Sequence, residues 1–159
     1  MSRDFLHTIK ENEGIIYKLV NIYAEKDNDQ QDLYQEIVYQ LWKSHQSFKG
    51  NSDISTWIYK VALNTSLTHI KLKKKYTENN AIQNVEFQVE DTLDIHQENK
   101  ISEMYQLIRT LNEIDKAIIF LFLEGKNHQE IAIIIGLSVS NIGTRINRIK
   151  QNLKNKIVK

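Results

Sequence analysis

No proline interrupts the 159-residue chain, and its apolar residues return at helical intervals. Proline breaks helix interiors because it lacks an N–H and clashes with the preceding turn, so its absence suits long helices. Leu33, Tyr34, Ile37, Val38 and Leu41 follow the i, i+1, i+4, i+5, i+8 spacing of one helical face. In the segment before them, Ile9, Ile16, Leu19, Val20 and Tyr23 form a similar series. The stretch "KGNSDIS" (residues 49–55) is rich in Gly, Asn, Asp and Ser and is expected to be a loop. Ser55 is the expected N-cap of a helix from Thr56 to about Lys75. Strand-like alternation of β-branched residues is hard to find. The expected fold class is therefore all-α: two small helical domains joined by an acidic linker, with a helix-turn-helix in the second.

Charge distribution supports that division. The net charge is only +1, but residues 77–99 carry six acidic side chains and no Lys or Arg. Residues 131–159 carry six basic side chains and no Asp or Glu. The basic run "KLKKK" (71–75) directly precedes the acidic stretch. Such segregation points to a nucleic-acid partner that the total charge conceals. Domain limits of 1–76 and 101–159 follow, with residues 77–100 as the linker. Domains this small have modest cores, so a large partner is expected to help fix their arrangement.

Several chemistries are excluded or disfavoured. Without cysteine there is no disulfide framework, thiolate zinc site or cysteine nucleophile. His7, His45, His69, His96 and His128 are scattered without metal-ligand spacing. There is neither a phosphate-cradling glycine loop nor a G-x-S-x-G elbow. Asp29, Asp32 and Glu36 have a spacing at which carboxylates could share Mg²⁺. Such a site needs a second acidic helix, and Glu11 and Glu13 face different ways. No catalytic activity, metal or cofactor is therefore expected. The N-terminus "MSRDFLHTIKENEG" does not resemble a signal peptide, and no apolar run reaches spanning length, so a cytoplasmic location without membrane insertion is expected.

The segment "HQEIAIIIGLSVSNIGTRINRIKQNL" (128–153) changes character at Gly136. Its first part predicts a helix burying Ile131, Ile134 and Ile135, with Ala132 permitting close approach. Gly136 supplies the positive φ that ends the helix, Leu137 plugs the corner and Ser138 caps the next helix. There, Ile142, Ile146, Ile149 and Leu153 make one narrow stripe. Ser140, Thr144, Asn147, Arg148 and Gln151 lie opposite, flanked by Arg145 and Lys150. This is the pattern of a helix-turn-helix whose second helix enters the major groove. Its hydroxyl, amide and guanidinium groups suit base edges, and its cations suit phosphates. An ordinary helical hairpin with a solvated face would have the same apolar pattern. In the first domain, Lys60, Asn64, Leu67 and Lys71 form a stripe. Phe48, Trp57 and Tyr59 sit beside the polar loop, as stacking platforms for single-stranded nucleic acid or as core.

"DLYQEI…LW", "FKG…STWIY…ALN" and "EIAIIIGLSVSNIGTRINRI", in that order, resemble the extracytoplasmic-function sigma factors of the sigma-70 family. The resemblance covers nearly the whole chain, with only the linker loosely matched. It implies a factor that binds bacterial core RNA polymerase, directs it to promoters and assists melting. By resemblance, Asp32, Gln35 and Glu36 dock on the beta-prime clamp. Phe48 and Asn64 match the pocket for a flipped minus-ten base, with Lys49, Asn51, Ser52, Lys60 and Lys71 as neighbouring contacts on the single strand. Ser140, Gly143, Thr144, Arg145, Asn147 and Arg148 fall on the helix that reads the minus-thirty-five element. Many members carry a basic residue at the position of Gly143. The glycine removes that contact and weakens the helix by up to about 1 kcal/mol relative to alanine. The resemblance also makes an anti-sigma factor a candidate partner. The alternative from a different class is a stand-alone helix-turn-helix regulator that binds duplex DNA as a dimer.

Overall fold

The computed structural model describes residues 3–48, 50, 53–79 and 98–157. Eight helices account for them almost entirely: α1 (Arg3–Glu11), α2 (Glu13–Tyr23), α3 (Asp27–His45), α4 (Ile54–Asn79), α5 (Glu98–Arg109), α6 (Glu113–Leu123), α7 (His128–Ile135) and α8 (Val139–Ile157). The described residues contain no strand. The linker assigned to 77–100 falls largely outside them, and α4 itself runs past residue 76.

The first apolar series is split between two helices rather than forming one. Asn12 separates α1 from α2, its side-chain amide donating to the Thr8 carbonyl at 2.8 Å. Phe5 and Ile9 on α1 are buried with Ile16, Leu19, Val20, Ile22 and Tyr23 on α2. On α3, Leu33, Ile37 and Leu41 have no exposed surface, as the periodicity predicts. Burying each such side chain contributes on the order of 1.5–3 kcal/mol. α4 begins before the predicted cap: the Trp57 N–H donates to the Asp53 carbonyl at 3.1 Å, leaving Ser55 inside the first turn. The inward face of α4 is formed by Trp57, Ile58, Tyr59, Ala62, Leu63, Thr65 and Ser66. Trp57 and Tyr59 are thus core residues, not exposed stacking platforms.

The last three helices, α6 to α8, start on side-chain caps. Asn112 accepts from the Asp115 N–H ahead of α6, whose residues 115–121 are all buried. Asn127 and Glu130 form a reciprocal capping box ahead of α7, satisfying two donors that a helix start leaves unpaired. Gly136 ends α7 with φ 85° and ψ 29°, the left-handed cap expected from sequence. The Ser138 hydroxyl accepts from the Asn141 N–H at 3.1 Å at the start of α8. Ile131 and Ala132 are buried, while Ile134 and Ile135 are only partly covered.

The two helical groups pack directly on each other, with α2 against α5 and α4 against α7. The Arg109 guanidinium donates to the Asn21 carbonyl through Nε at 2.9 Å and Nη2 at 2.6 Å. From the other side, the Tyr23 hydroxyl donates to the Glu113 carbonyl at 2.8 Å. The rings of Tyr59 and Phe120 meet edge to face at 5.9 Å. Lys18 pairs with Glu124 at 3.0 Å and Lys74 with Glu113 at 3.6 Å around this seam. The two groups therefore meet without a partner molecule between them.

Candidate polymerase and promoter interfaces

Asp32, Gln35 and Glu36 are exposed on α3 because Leu33 and Ile37 turn the opposite face inward. They line a groove between α3 and α4 together with Tyr39, Asn64 and Thr68. Asn64, matched by resemblance to the base pocket, thus stands across from the carboxylates assigned to polymerase. Phe48 does not line this groove. It lies half-buried against Trp57, with ring centroids 5.1 Å apart. His45 and Phe5 extend the same aromatic cluster. Lys60 is partly covered and Lys71 exposed, while Lys49, Asn51 and Ser52 lie outside the described residues.

Asp29 on α3 is held by two side chains of α4. His69 Nε2 lies 3.0 Å from its Oδ1, and Lys73 Nζ donates to Oδ2 at 2.8 Å. Burial tends to raise the Asp29 pKa. The hydrogen bonds and positive charge of Lys73 and His69 outweigh burial and hold it below the usual carboxylate range. Among the described residues no group of three His, Cys, Asp or Glu side chains could hold a metal ion.

On α8, Ile142, Ile146 and Ile149 are buried and Leu153 is half-buried. Ser140, Thr144, Asn147, Arg148 and Gln151 form the exposed face expected from the sequence. Gly143 is partly covered, and a Cβ there would meet the His128 ring at 3.5 Å. Arg145 is drawn partly inward, whereas Lys150 is exposed with its ammonium lying over a ring. Arg145 Nη1 donates to Asp115 Oδ1 at 3.0 Å. The Lys150 ammonium sits 4.4 Å from the Phe122 ring centre. Arg148 Nη2 also reaches Asp115, at 3.1 Å from Oδ2. Asp115 escaped the sequence reading, although the Asn112-x-x-Asp115 spacing ahead of "AIIFLFL" is a helix-start signal.

Burial and then the charge of Glu113 push the Tyr23 phenol above its ordinary pKa. Burial followed by Glu124 does the same for Tyr59. Both stay protonated, as their donor roles at the seam require; Tyr59 donates to Glu124 Oε1 at 3.3 Å.

A helical domain with a grooved acidic face, packed on a helix-turn-helix domain with an exposed polar and basic face, has the architecture of a DNA-binding transcription factor. Residues 8–76 match the family described as Sigma-70 region 2, and residues 101–153 match Sigma-70, region 4. The ECF RNA polymerase sigma-E factor of Haemophilus influenzae is 29% identical over 142 residues, covering 82% of this chain and 75% of the relative. The corresponding Escherichia coli factor is 26% identical over 154 residues, covering 89% and 80%. Among solved structures, the sigma factor RpoE in complex with the anti-sigma factor NepR from Bartonella quintana superposes with a TM-score of 0.79 at 17% identity, covering 97% of this chain and 96% of that one. CnrH in complex with the cytosolic domain of CnrY gives 0.70 at 15% identity, covering 98% and 88%. The chain belongs to the sigma-70 family, in its extracytoplasmic-function group. It is a sigma factor, directing RNA polymerase to promoters.

Proposed function

We propose that α1–α4 and α5–α8 divide initiation between them. Asp32, Gln35 and Glu36 dock on the beta-prime clamp of core RNA polymerase. Asn64 receives a flipped minus-ten base in the groove between α3 and α4, with Phe48, Lys49, Asn51, Ser52, Lys60 and Lys71 as further contacts on the single strand. The exposed face of α8 reads the minus-thirty-five duplex. Unstacking a base costs a few kcal/mol, so a pocket that binds it favours the melted state without any chemical step. The observation that carries this reading is the pairing of two exposed faces on one chain, acidic on α3 and basic-polar on α8. Each is fixed by an apolar stripe on its opposite side.

A stand-alone repressor requires only the second face, whereas both domains match the family and in the family's order. An anti-sigma factor is a further partner in this proposal, supported by two fold relatives solved in such complexes or with a partner's cytosolic domain. A cytoplasmic site of action accords with this role. Among the described residues, no helix is long and apolar enough to cross a membrane.

Co-elution with bacterial core RNA polymerase on a sizing column, beside an Asp32→Ala/Glu36→Ala variant, tests the assignment. Stoichiometric binding lost in the variant is the expected outcome. Equal binding by both proteins would move the docking face elsewhere.

A further inference from the structure

Asp115 is the third residue of α6 and only 5% exposed, yet it is the hub of a polar network reaching the reading face of α8. Its Oδ2 accepts from Asn112 Nδ2 at 3.0 Å and from Arg148 Nη2 at 3.1 Å. Its Oδ1 accepts from Arg145 Nη1 at 3.0 Å, with Arg148 Nη2 at 3.4 Å. Arg145 is tied down again through Nε, which donates to Asn141 Oδ1 at 2.8 Å. Two guanidiniums one turn apart on α8 thus share one covered carboxylate.

The two arginines differ in what remains available. The Arg145 side chain is 28% exposed and uses two of its three nitrogens within the protein. The Arg148 side chain is 61% exposed and touches Asp115 through Nη2 alone. Its Nε and Nη1 have no partner among the described residues, and Nη2 carries a second N–H beside the one forked between the two Asp115 oxygens, so one edge of the fork, Nη2 with Nε or with Nη1, stays free for a bidentate contact. A guanidinium is a rigid planar fork, so anchoring one nitrogen restricts the direction of the others. Discrimination of a guanine through O6 and N7 depends on such a fixed plane; a mobile exposed arginine contributes mainly charge.

We propose that Asp115 is a positioning residue for promoter selection. It fixes the Arg148 guanidinium so that its free edge reads one base of the upstream element, while Arg145 serves as an internal anchor. This rests on the reading of α8 as the duplex-reading helix. It reassigns Arg145 from DNA contact to support and makes a residue off that helix a determinant of specificity.

The test uses holoenzyme reconstituted from the full chain and bacterial core RNA polymerase, selecting from duplexes randomised across the upstream element. Wild type should enrich one base at the position that Arg148→Ala flattens. Asp115→Asn should flatten that same position by about tenfold, the scale of one lost bidentate contact, and spare the others. Asp115→Glu should restore part of the preference. In the Arg148→Ala background, Asp115→Asn should change nothing further. Arg148→Lys, which keeps the charge but not the plane, should flatten the position even with Asp115 intact, and provides a test should Asp115→Asn fail to fold. An even loss across all positions in Asp115→Asn would make Asp115 a structural staple and overturn the proposal. So would an unchanged preference in Asp115→Asn or Arg148→Lys. An Arg148→Ala holoenzyme with wild-type selection at every position would instead overturn the reading of α8 itself.

Discussion

At Asp29, three charged or titratable groups from two helices meet, and the balance of forces there has a measurable sign. The folded protein holds this carboxyl below its ordinary value of 3.8, despite burial, because Lys73 and His69 favour the anion. In that acidic window the unfolded chain binds more protons than the folded one, so stability falls as pH falls. The contribution is fully present above the ordinary value and disappears as pH drops through the folded-state pKa. Asp29→Asn should therefore reduce stability near neutrality and flatten its decline below about pH 4, as read from urea midpoints across pH. An unaltered pH slope in the variant would place the acid sensitivity at other carboxylates. At the seam, Tyr23→Phe removes only the hydroxyl that donates to the Glu113 carbonyl. It should lower stability by about 1 kcal/mol, the ordinary scale for one lost intramolecular hydrogen bond.

Among the helices, α7 and α8 show how much of a structure local chemistry declares. Gly136→Ala should destabilise the protein by more than about 1 kcal/mol, because alanine must occupy the left-handed region held by φ 85°. Gly143→Ala should act in the opposite direction, adding up to about 1 kcal/mol, since the new methyl meets His128 at an ordinary contact distance. Thermal melts of the two variants should consequently shift to opposite sides of wild type. The left-handed turn, the Ser138 cap and the isoleucine stripe were legible because each depends on residues within a few positions. The faces of α4 were less so. Trp57 and Tyr59 have the same composition signature whether they stack on bases or fill a core, and packing from other helices decided it. The split between α1 and α2 was missed because both halves share an apolar face and the nearby glycine, Gly14, lies inside α2 rather than at the break.

Across the whole molecule, sequence signals fade where partners are distant along the chain. Arg109 and Asn21 are 88 positions apart, Tyr23 and Glu113 90. Neither pairing has a periodicity to betray it, and Asp115 meets Arg145 and Arg148 at separations of 30 and 33. The first two pairings set how the domains sit. The flanking ion pairs Lys18–Glu124 and Lys74–Glu113 are substantially exposed on the lysine side and contribute little. Arg109, which donates twice to one carbonyl, is the stronger tie. Arg109→Ala should cost roughly 1.5–3 kcal/mol of domain docking, the scale for hydrogen bonds from a charged donor. Small-angle scattering should show a larger radius of gyration, and an unchanged radius would assign the docking to the Tyr59–Phe120 contact instead.

Both principal polar ties at the seam end on main-chain carbonyls, those of Asn21 and Glu113. A carbonyl is supplied by every residue type, so drift at positions 21 and 113 can alter the side chains while the acceptors persist. The donors are different: only a phenol of this reach at 23 and a guanidinium at 109 fit these bonds as they stand. Mutational tolerance across the seam should therefore be one-sided, narrow at 23 and 109 and broad opposite them. Covariation between the bonded positions would then be weak even though the atoms touch.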